Sequence, residues 1–167
     1  MPLLRPMRAD DLDAVLAVQA QCYPPAMQEA GAVVLARLRA APATTLVACD
    51  AAGVCGYLFA YPSVYGKVTP LGAPFDVAPV PDTLYLHDLA VAPRALGSGL
   101  ARRLVRRMLA PGTAGALARA ALVSVQDSRA FWEAMGFAAD RDGPADPASR
   151  AALAGYPDGA LYMTRLP

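Results

Sequence analysis

The sequence predicts an α/β chain of the α+β kind, a mixed sheet of about seven strands flanked by four helices. Two observations carry that prediction. Strand-like apolar runs are interspersed with runs at helical spacing, in the order β-α-α-β-β-β-α-β-α-β-β. The chain has 167 residues, 56% of them hydrophobic and 17% charged, enough for one substantial core, and a single domain over residues 1–167 is expected.

The elements follow in order. "PLLRPM" reads as a first strand. Asp10 and Asp11 stand where an N-cap belongs, and Leu12, Val15, Leu16 and Gln19 run on at helical spacing. Pro24 and Pro25 in "QCYPPA" end that pattern, because proline has no N–H to continue a helix. A second helix is expected from about Gln28 to Ala40 on Val33, Val34, Leu35 and Leu38. "TTLVACD" and "GVCGYLFAY" form two strands joined at "DAAG", with the spacing of an antiparallel hairpin.

Residues 62–81 carry five prolines and no periodicity. A stretch of that kind is either an ordered lid or binding loop, or a surface insertion without order. "DTLYLHDLAVA" is the fourth strand. "GSGLARRLVRRMLA" is a helix with Leu100, Leu104 and Val105 on one face and arginines on the other. "ARAALVSV" is a strand, and "SRAFWEAM" a short helix with a Ser N-cap and Gly136 as C-cap. "FAADR" and "ALYMTRL" read as two closing strands around a loop at 142–159.

Net charge is +1 without basic or acidic blocks, which argues against a nucleic-acid-binding domain. Lys67 is the only lysine, so the positive charge is nearly all arginine, a bias we assign to composition rather than function. Cys22, Cys49 and Cys55 form no C-x-x-C pair and cannot all pair with one another, as expected of a reduced, cytoplasmic protein. None has a neighbouring base in sequence, and all three read as packing residues. No segment has the apolar length of a signal peptide or a membrane span.

The stretch "LAVAPRALGSGLARRLV" bears on function. Helix N-termini present unpaired N–H groups and bind anions, and Gly97 and Gly99 remove side chains where backbone would approach a phosphate. It lacks the Gly-Lys-Ser/Thr ending of a Walker loop, and Arg102 stands where a dinucleotide fingerprint needs its third glycine. Alone, this G-x-G is equally a tight structural turn.

Its context narrows the choice. Arg94, Gly97 and Gly99 directly after a strand ending "LAVAP" resemble the coenzyme A signature of the GNAT acetyltransferases, R-x-x-G-x-G. "SRAFWEAMGF" is similar to that family's late helix and "LRPMRADDLDAV" to its first strand and helix, so the resemblance spans essentially the whole chain. It implies a mostly antiparallel sheet whose fourth and fifth strands splay apart around the pantetheine arm of acetyl-CoA, the co-substrate, with no metal.

The resemblance places coenzyme contacts on Leu89, Ala90 and Val91, and on Arg94, Leu96, Gly97, Ser98, Gly99, Leu100 and Ala101. Ser128 and Trp132 join them from the late helix. Backbone of residues 89–91 would pair with pantetheine and polarise the thioester carbonyl, and N–H groups from Gly97 to Ala101 would cradle the pyrophosphate. Arg102, Arg103, Arg106 and Arg107 either reach coenzyme A's other phosphate or form a solvated face.

The implied reaction is direct acetyl transfer to a primary amine. That amine is mostly protonated at neutral pH, with a pKa near 10 for a lysine-like group, so a proton acceptor is needed. Strict strand alternation puts Tyr85, His87, Leu89 and Val91 on one face and Asp88 on the other. His87, the only histidine, is the catalytic candidate with Tyr85, and Asp88 reads as structural. Many family members carry a Tyr as general acid where this chain has Trp132, and an indole cannot do that work. Tyr156 and Tyr162 are candidate substitutes.

The acceptor wall implied by the fold is "QCYPPAMQE" with residues 62–81. It offers Tyr23, Pro24, Tyr61, Tyr65, Met27 and Phe75, with Glu29 and Asp76 as carboxylates. The proline-bearing first loop and the fourth-strand histidine resemble the arylalkylamine N-acetyltransferase branch, which implies a small amine with an apolar or aromatic body. A protein amine and a non-catalytic acyl-CoA-binding sensor are the alternatives. The partner expected is a small-molecule amine, with no nucleic acid and no membrane, and a homodimer is compatible.

Overall fold

The computed structural model describes residues 1–113, 115 and 117–166. Its strands are β1 (Leu3–Pro6), β2 (Thr45–Asp50), β3 (Gly53–Ser63), β4 (Thr83–Val91), β5 (Arg119–Ser124), β6 (Ala138–Ala139) and β7 (Leu161–Arg165). They form one seven-stranded sheet in the order β1-β2-β3-β4-β5-β7-β6. Every neighbouring pair is antiparallel except β4–β5, which is parallel.

Among the described residues five α-helices accompany the sheet rather than the four expected: α1 (Leu12–Cys22), α2 (Gly31–Ala40), α3 (Leu100–Leu109), α4 (Arg129–Ala134) and α5 (Pro147–Ala154). The additional helix lies in the stretch read as a loop at 142–159. Its start signals are present in the sequence: the Asp146 side chain caps Ser149 N–H and Pro147 occupies the first turn, where its missing N–H costs nothing. The second helix begins three residues later than expected, because Gln28 and Ala30 are extended.

Alternation along β3 divides the core. Tyr57 turns toward Val15 of α1 and Val34 of α2, whereas Gly56 lies under Leu100 and Leu104 of α3. A Cβ at Gly56 would stand 3.1 Å from the Ala90 carbonyl and 3.3 Å from Leu100, so glycine lets α3 sit close against β3 and β4. The α3 residues Leu100, Leu104, Val105 and Met108 are buried there and hold the glycine turn against the end of β4.

Residues 64–82 have no regular secondary structure, yet they are pinned from several sides. Val68 N–H donates to Ser149 Oγ of α5 (3.1 Å), Tyr156 OH to Thr69 O (2.7 Å), and Arg37 Nε of α2 to Ala73 O (2.9 Å). Tyr61 pairs its hydroxyl with Thr69 and stacks its ring on Phe75 (4.3 Å). The proline-rich stretch is therefore a packed cover over the α1/α2 face of β3 and β4, with side-chain and backbone bonds in place of a ladder.

Leu104 is fully buried, so Leu104→Ala should lower the unfolding free energy by about 3 kcal/mol in urea denaturation, as transfer and cavity terms add. A change under about 1 kcal/mol would show that α3 is not anchored as described.

Candidate active site

The site begins where pairing stops. β4 and β5 are in register over Thr83↔Arg119 to Leu86↔Leu122 and no further, although β4 runs on to Val91. Beyond that point the strands diverge around a cleft of about 150 Å3, lined by His87, Asp88 and Leu89 on one side and Val123, Ser128 and Trp132 on the other. Tyr23, following α1, also lines it. Tyr23 OH lies 2.8 Å from Asp88 Oδ1 and 2.9 Å from Leu89 O, and the Cys22 thiol donates to Val91 O.

Those contacts show which way the backbone faces. The Leu89 and Val91 carbonyls point away from β3, toward the cleft, and their N–H groups point the same way in an extended strand. Ala90 lies between them with its carbonyl toward Gly56 of β3. Of the three residues expected to offer backbone to pantetheine, Leu89 and Val91 face the cleft and Ala90 is taken up by the sheet.

A bulge changes the side-chain arrangement read from alternation. Phe59 pairs with Asp88 and Ala60 with Leu86, so His87 is an extra residue without a partner on β3. His87 and Asp88 consequently both turn toward the α1/α2 face, with Tyr85 and Tyr61. His87 bonds Glu29 and packs edge-on to Phe75 (5.6 Å), and Asp88 accepts from Tyr57 (2.9 Å). The expectation that Asp88 points to the opposite face from His87 is corrected, as is that of Leu89 and Val91 on the same face as His87, because Val91 pairs with Gly56 on the α3 side.

His87 Nε2 lies 3.0 Å from Glu29 Oε1, and Glu29 is clasped by Arg37 through its two terminal guanidinium nitrogens. All three side chains are almost fully buried, at 1%, 4% and 2% exposure. Gly72 N–H and the Gln19 amide tie the same residue to the loop and to α1. Burial works against ionisation of Glu29, but the hydrogen bonds from His87 and Arg37 outweigh it and hold the carboxyl well below the usual glutamate range. The partner assigns the ring proton: in neutral His87 it sits on Nε2, and Nδ1 keeps a lone pair. Nδ1 is buried and has no hydrogen-bond partner among the described residues.

Asp88 is different. Burial pushes its carboxyl up, against the pull of His87 and the two phenol hydrogen bonds. It makes no ion pair among the described residues.

Beyond the end of β4, Gly97 and Gly99 have φ of +76° and +75°, and Gly99 is the N-cap of α3. No Cβ contact forbids a side chain at either position; the left-handed backbone is what favours glycine. Ser98 Oγ is turned to Ala95 O (2.6 Å) and Leu96 is exposed. The N–H groups of Gly97 to Ala101 have no partner among the described residues. Arg94 binds Asp50 and Val54 O, Leu100 is core, and Arg103 donates to Pro2 O.

The remaining expected residues are dispersed. Tyr85 and Tyr61 are buried beneath the packed loop, and burial raises the Tyr85 phenol well above its ordinary value. Pro24 is exposed beyond the end of α1. Tyr65 bonds Asp140 and stacks under Arg119 (4.2 Å), away from the cleft. Tyr156 donates to Thr69 O, and Tyr162, raised to about 12 by burial, accepts from Gly66 N–H, so neither lines the cleft. Tyr23 alone of the expected acceptor residues does so.

A mixed sheet with one splayed parallel pair and a glycine-capped helix beyond it defines the acyl-CoA-dependent N-acyltransferase fold. Residues 12–137 match the model of the Acetyltransferase (GNAT) family, and the chain belongs to that family, whose members are acyl-transfer enzymes. The match establishes the family and not the arylalkylamine branch. Similar solved structures include the GphF GNAT-like decarboxylase in complex with isobutyryl-CoA, at 19% identity over 98% of each chain with TM-score 0.73. The loading GNATL domain of CurA from Lyngbya majuscula is 11% identical over 99% of this chain and 98% of that one, with TM-score 0.73. A GNAT family acetyltransferase from Brucella melitensis in complex with acetyl-CoA is 25% identical over 83% and 84%, with TM-score 0.59. No curated protein matches the sequence. No described helix is long and apolar enough to cross a membrane, and no described group of His, Cys, Asp or Glu has the arrangement of a metal site.

Glu29→Gln should lower stability at pH 7 by about 3 kcal/mol, because Arg37 is left buried without its counter-charge. Glu29 has a lowered native pKa, so its contribution is present above the ordinary glutamate value, roughly 4.3, and is lost as pH falls below it. The gap between wild type and variant should narrow between pH 5 and pH 3 in chemical denaturation. A gap independent of pH would remove the ionised carboxylate from the account.

Proposed function

We propose that the chain is an acetyl-CoA-dependent N-acetyltransferase that passes acetyl directly from the thioester to a small primary amine. The observation carrying this reading is the parting of β4 and β5 beyond Leu86 and Leu122, followed after the end of β4 by a glycine turn whose backbone N–H groups have no partner among the described residues. The N–H groups of Gly97 to Ala101 hold the pyrophosphate at the positive end of α3. Pantetheine lies between β4 and β5, and the outward N–H groups of Leu89 and Val91 polarise the thioester carbonyl. Ser128 and Trp132 close the opposite wall.

His87 serves as proton acceptor. Glu29 fixes the proton on Nε2, leaving Nδ1 to take one from the amine before nitrogen attacks the carbonyl carbon. The C–S bond then breaks. Trp132 cannot protonate the sulfur, but a thiolate of ordinary pKa near 8.5 leaves without obligatory protonation, and the intermediate's N–H supplies the proton afterwards. A small acceptor is favoured because the cleft beside Tyr23, Asp88 and Leu89 offers only about 150 Å3.

Thiol release from acetyl-CoA with a panel of small amines, amino acids, polyamines and peptides tests the reading. His87→Ala should lose about 10² to 10⁴ in turnover with acetyl-CoA affinity, read by calorimetry, nearly unchanged. Wild-type rates in that variant across pH would move the proton acceptor elsewhere. Tight acetyl-CoA binding without turnover on any amine or peptide would favour the sensor, and no binding would overturn the whole reading.

A further inference from the structure

Tyr23 holds one hydroxyl proton between two acceptors. Its oxygen is 2.8 Å from Asp88 Oδ1 and 2.9 Å from Leu89 O, and a phenol has a single proton to give. Tyr57 OH, 2.9 Å from Asp88 Oδ2, brings one more. With Asp88 ionised, three acceptor oxygens share two protons, and Tyr23 leaves either the carboxylate or the Leu89 carbonyl short. With a proton on Asp88 Oδ1 every oxygen is served. Asp88 then donates to Tyr23, Tyr23 to Leu89 O, and Tyr57 to Oδ2.

The surroundings agree with that count. The titratable and charged groups around Asp88 are His87 on β4, Tyr57 on β3, Cys22 and Tyr23 at the end of α1, Glu29 and Arg37 at α2, and Tyr156 after α5. The Arg37 guanidinium is committed to Glu29 and Ala73 O, and His87 turns Nε2 to Glu29. No arginine or lysine among the described residues pairs with Asp88. A carboxylate without a cation is costly away from water, and burial favours its neutral form.

Resting on the transfer reading above, we infer that Asp88 carries a proton in the resting protein and that Tyr23 hands it to the departing sulfur of the coenzyme. Tyr23 lines the cleft together with Trp132, the side chain that cannot act as the acid. Its hydroxyl sits on the carbonyl of Leu89. The N–H of that same extended residue points to the same side and is the group that polarises the thioester, so hydroxyl and thioester meet at one residue of β4.

As the C–S bond breaks, its electron pair stays on sulfur, the Tyr23 proton moves there, and the Asp88 proton replaces the one Tyr23 gave. The proton shed by the new amide nitrogen returns to Asp88 through the same hydroxyl, and the one on His87 leaves to solvent. A phenol ionises near about 10 and a thiol near about 8.5, which makes Tyr23 alone a poor donor. With a carboxyl behind it no phenolate has to accumulate. Tyr23 is the catalytic residue, and Asp88 positions and replenishes its proton.

One arm of the test needs no turnover. Infrared spectra of the full chain at pH 7 should show the C=O band of a carboxylic acid, absent in Asp88→Asn. Should that variant fail to fold, the band must shift in Tyr23→Phe, which removes the acid's hydrogen-bond partner. In transfer to the best amine of the panel above, Tyr23→Phe should lose about 10² in kcat with KM for acetyl-CoA within about threefold. Asp88→Asn should lose as much, and the double variant no more than either, because the two act as one unit. No such band in the wild type, a band that neither variant changes, or Tyr23→Phe turning over within about threefold of wild type overturns the inference. No turnover by the wild-type chain on any acceptor would instead overturn the transfer reading, and the sulfur step with it, a failure that the infrared band tells apart.

Discussion

The end of the β4–β5 ladder at Leu86 and Leu122 is the constraint on which the rest of the site depends. A parallel pair satisfies its backbone groups only while the strands run side by side. Past that point Leu89 and Val91 present theirs to a cleft, and the protein supplies substitutes in Tyr23 OH and the Cys22 thiol. Those groups satisfy carbonyls only. The N–H groups of Gly97 to Ala101 have no partner among the described residues, so the strand end and the turn leave backbone donors free without breaking the core.

The bulge at His87 acts on the same strand and with the same economy. By inserting one residue opposite Phe59 and Ala60, it turns two consecutive titratable side chains toward one face. The two then differ through their neighbours. His87 meets a carboxylate held ionised by Arg37, and Asp88 meets two phenols and, among the described residues, no arginine or lysine. Adjacent residues thus receive different electrostatic surroundings, one from Glu29 and Arg37 and the other from Tyr23 and Tyr57, and their chemistry separates accordingly.

The Glu29–Arg37 pair links this chemistry to the cover. Arg37 bonds Ala73 and sits over the Phe75 ring at 5.1 Å, while Glu29 accepts from Gly72 N–H. Folding of the proline-rich segment, orientation of His87 and docking of α2 therefore share one buried ion pair. A buried pair is seldom retained for stability alone, since apolar residues pack as well without desolvation. Here it holds a loop without secondary structure against the α1/α2 face of β3 and β4.

The order of elements, the hairpin, the glycine turn and the late helix were legible in the sequence, because each is encoded by local periodicity or by a residue that permits a particular backbone. The fifth helix was legible too, in Asp146 and Pro147, although the surrounding prolines and glycines read as loop. Other features had no local signal. The bulge depends on how β3 and β4 slide into register, Glu29 reaches His87 across 58 residues, and Tyr23 reaches Asp88 across 65. Tyr61, Tyr65 and Tyr85 were plausible site residues by type, but packing sent them beneath the loop or to another part of the sheet. The sequence by itself determined the family's framework, since chain order and periodicity suffice to specify it. Only the tertiary structure decided which carboxylate meets two phenols and which neutralises an arginine, because side-chain partnership is set by distances between segments far apart in the chain.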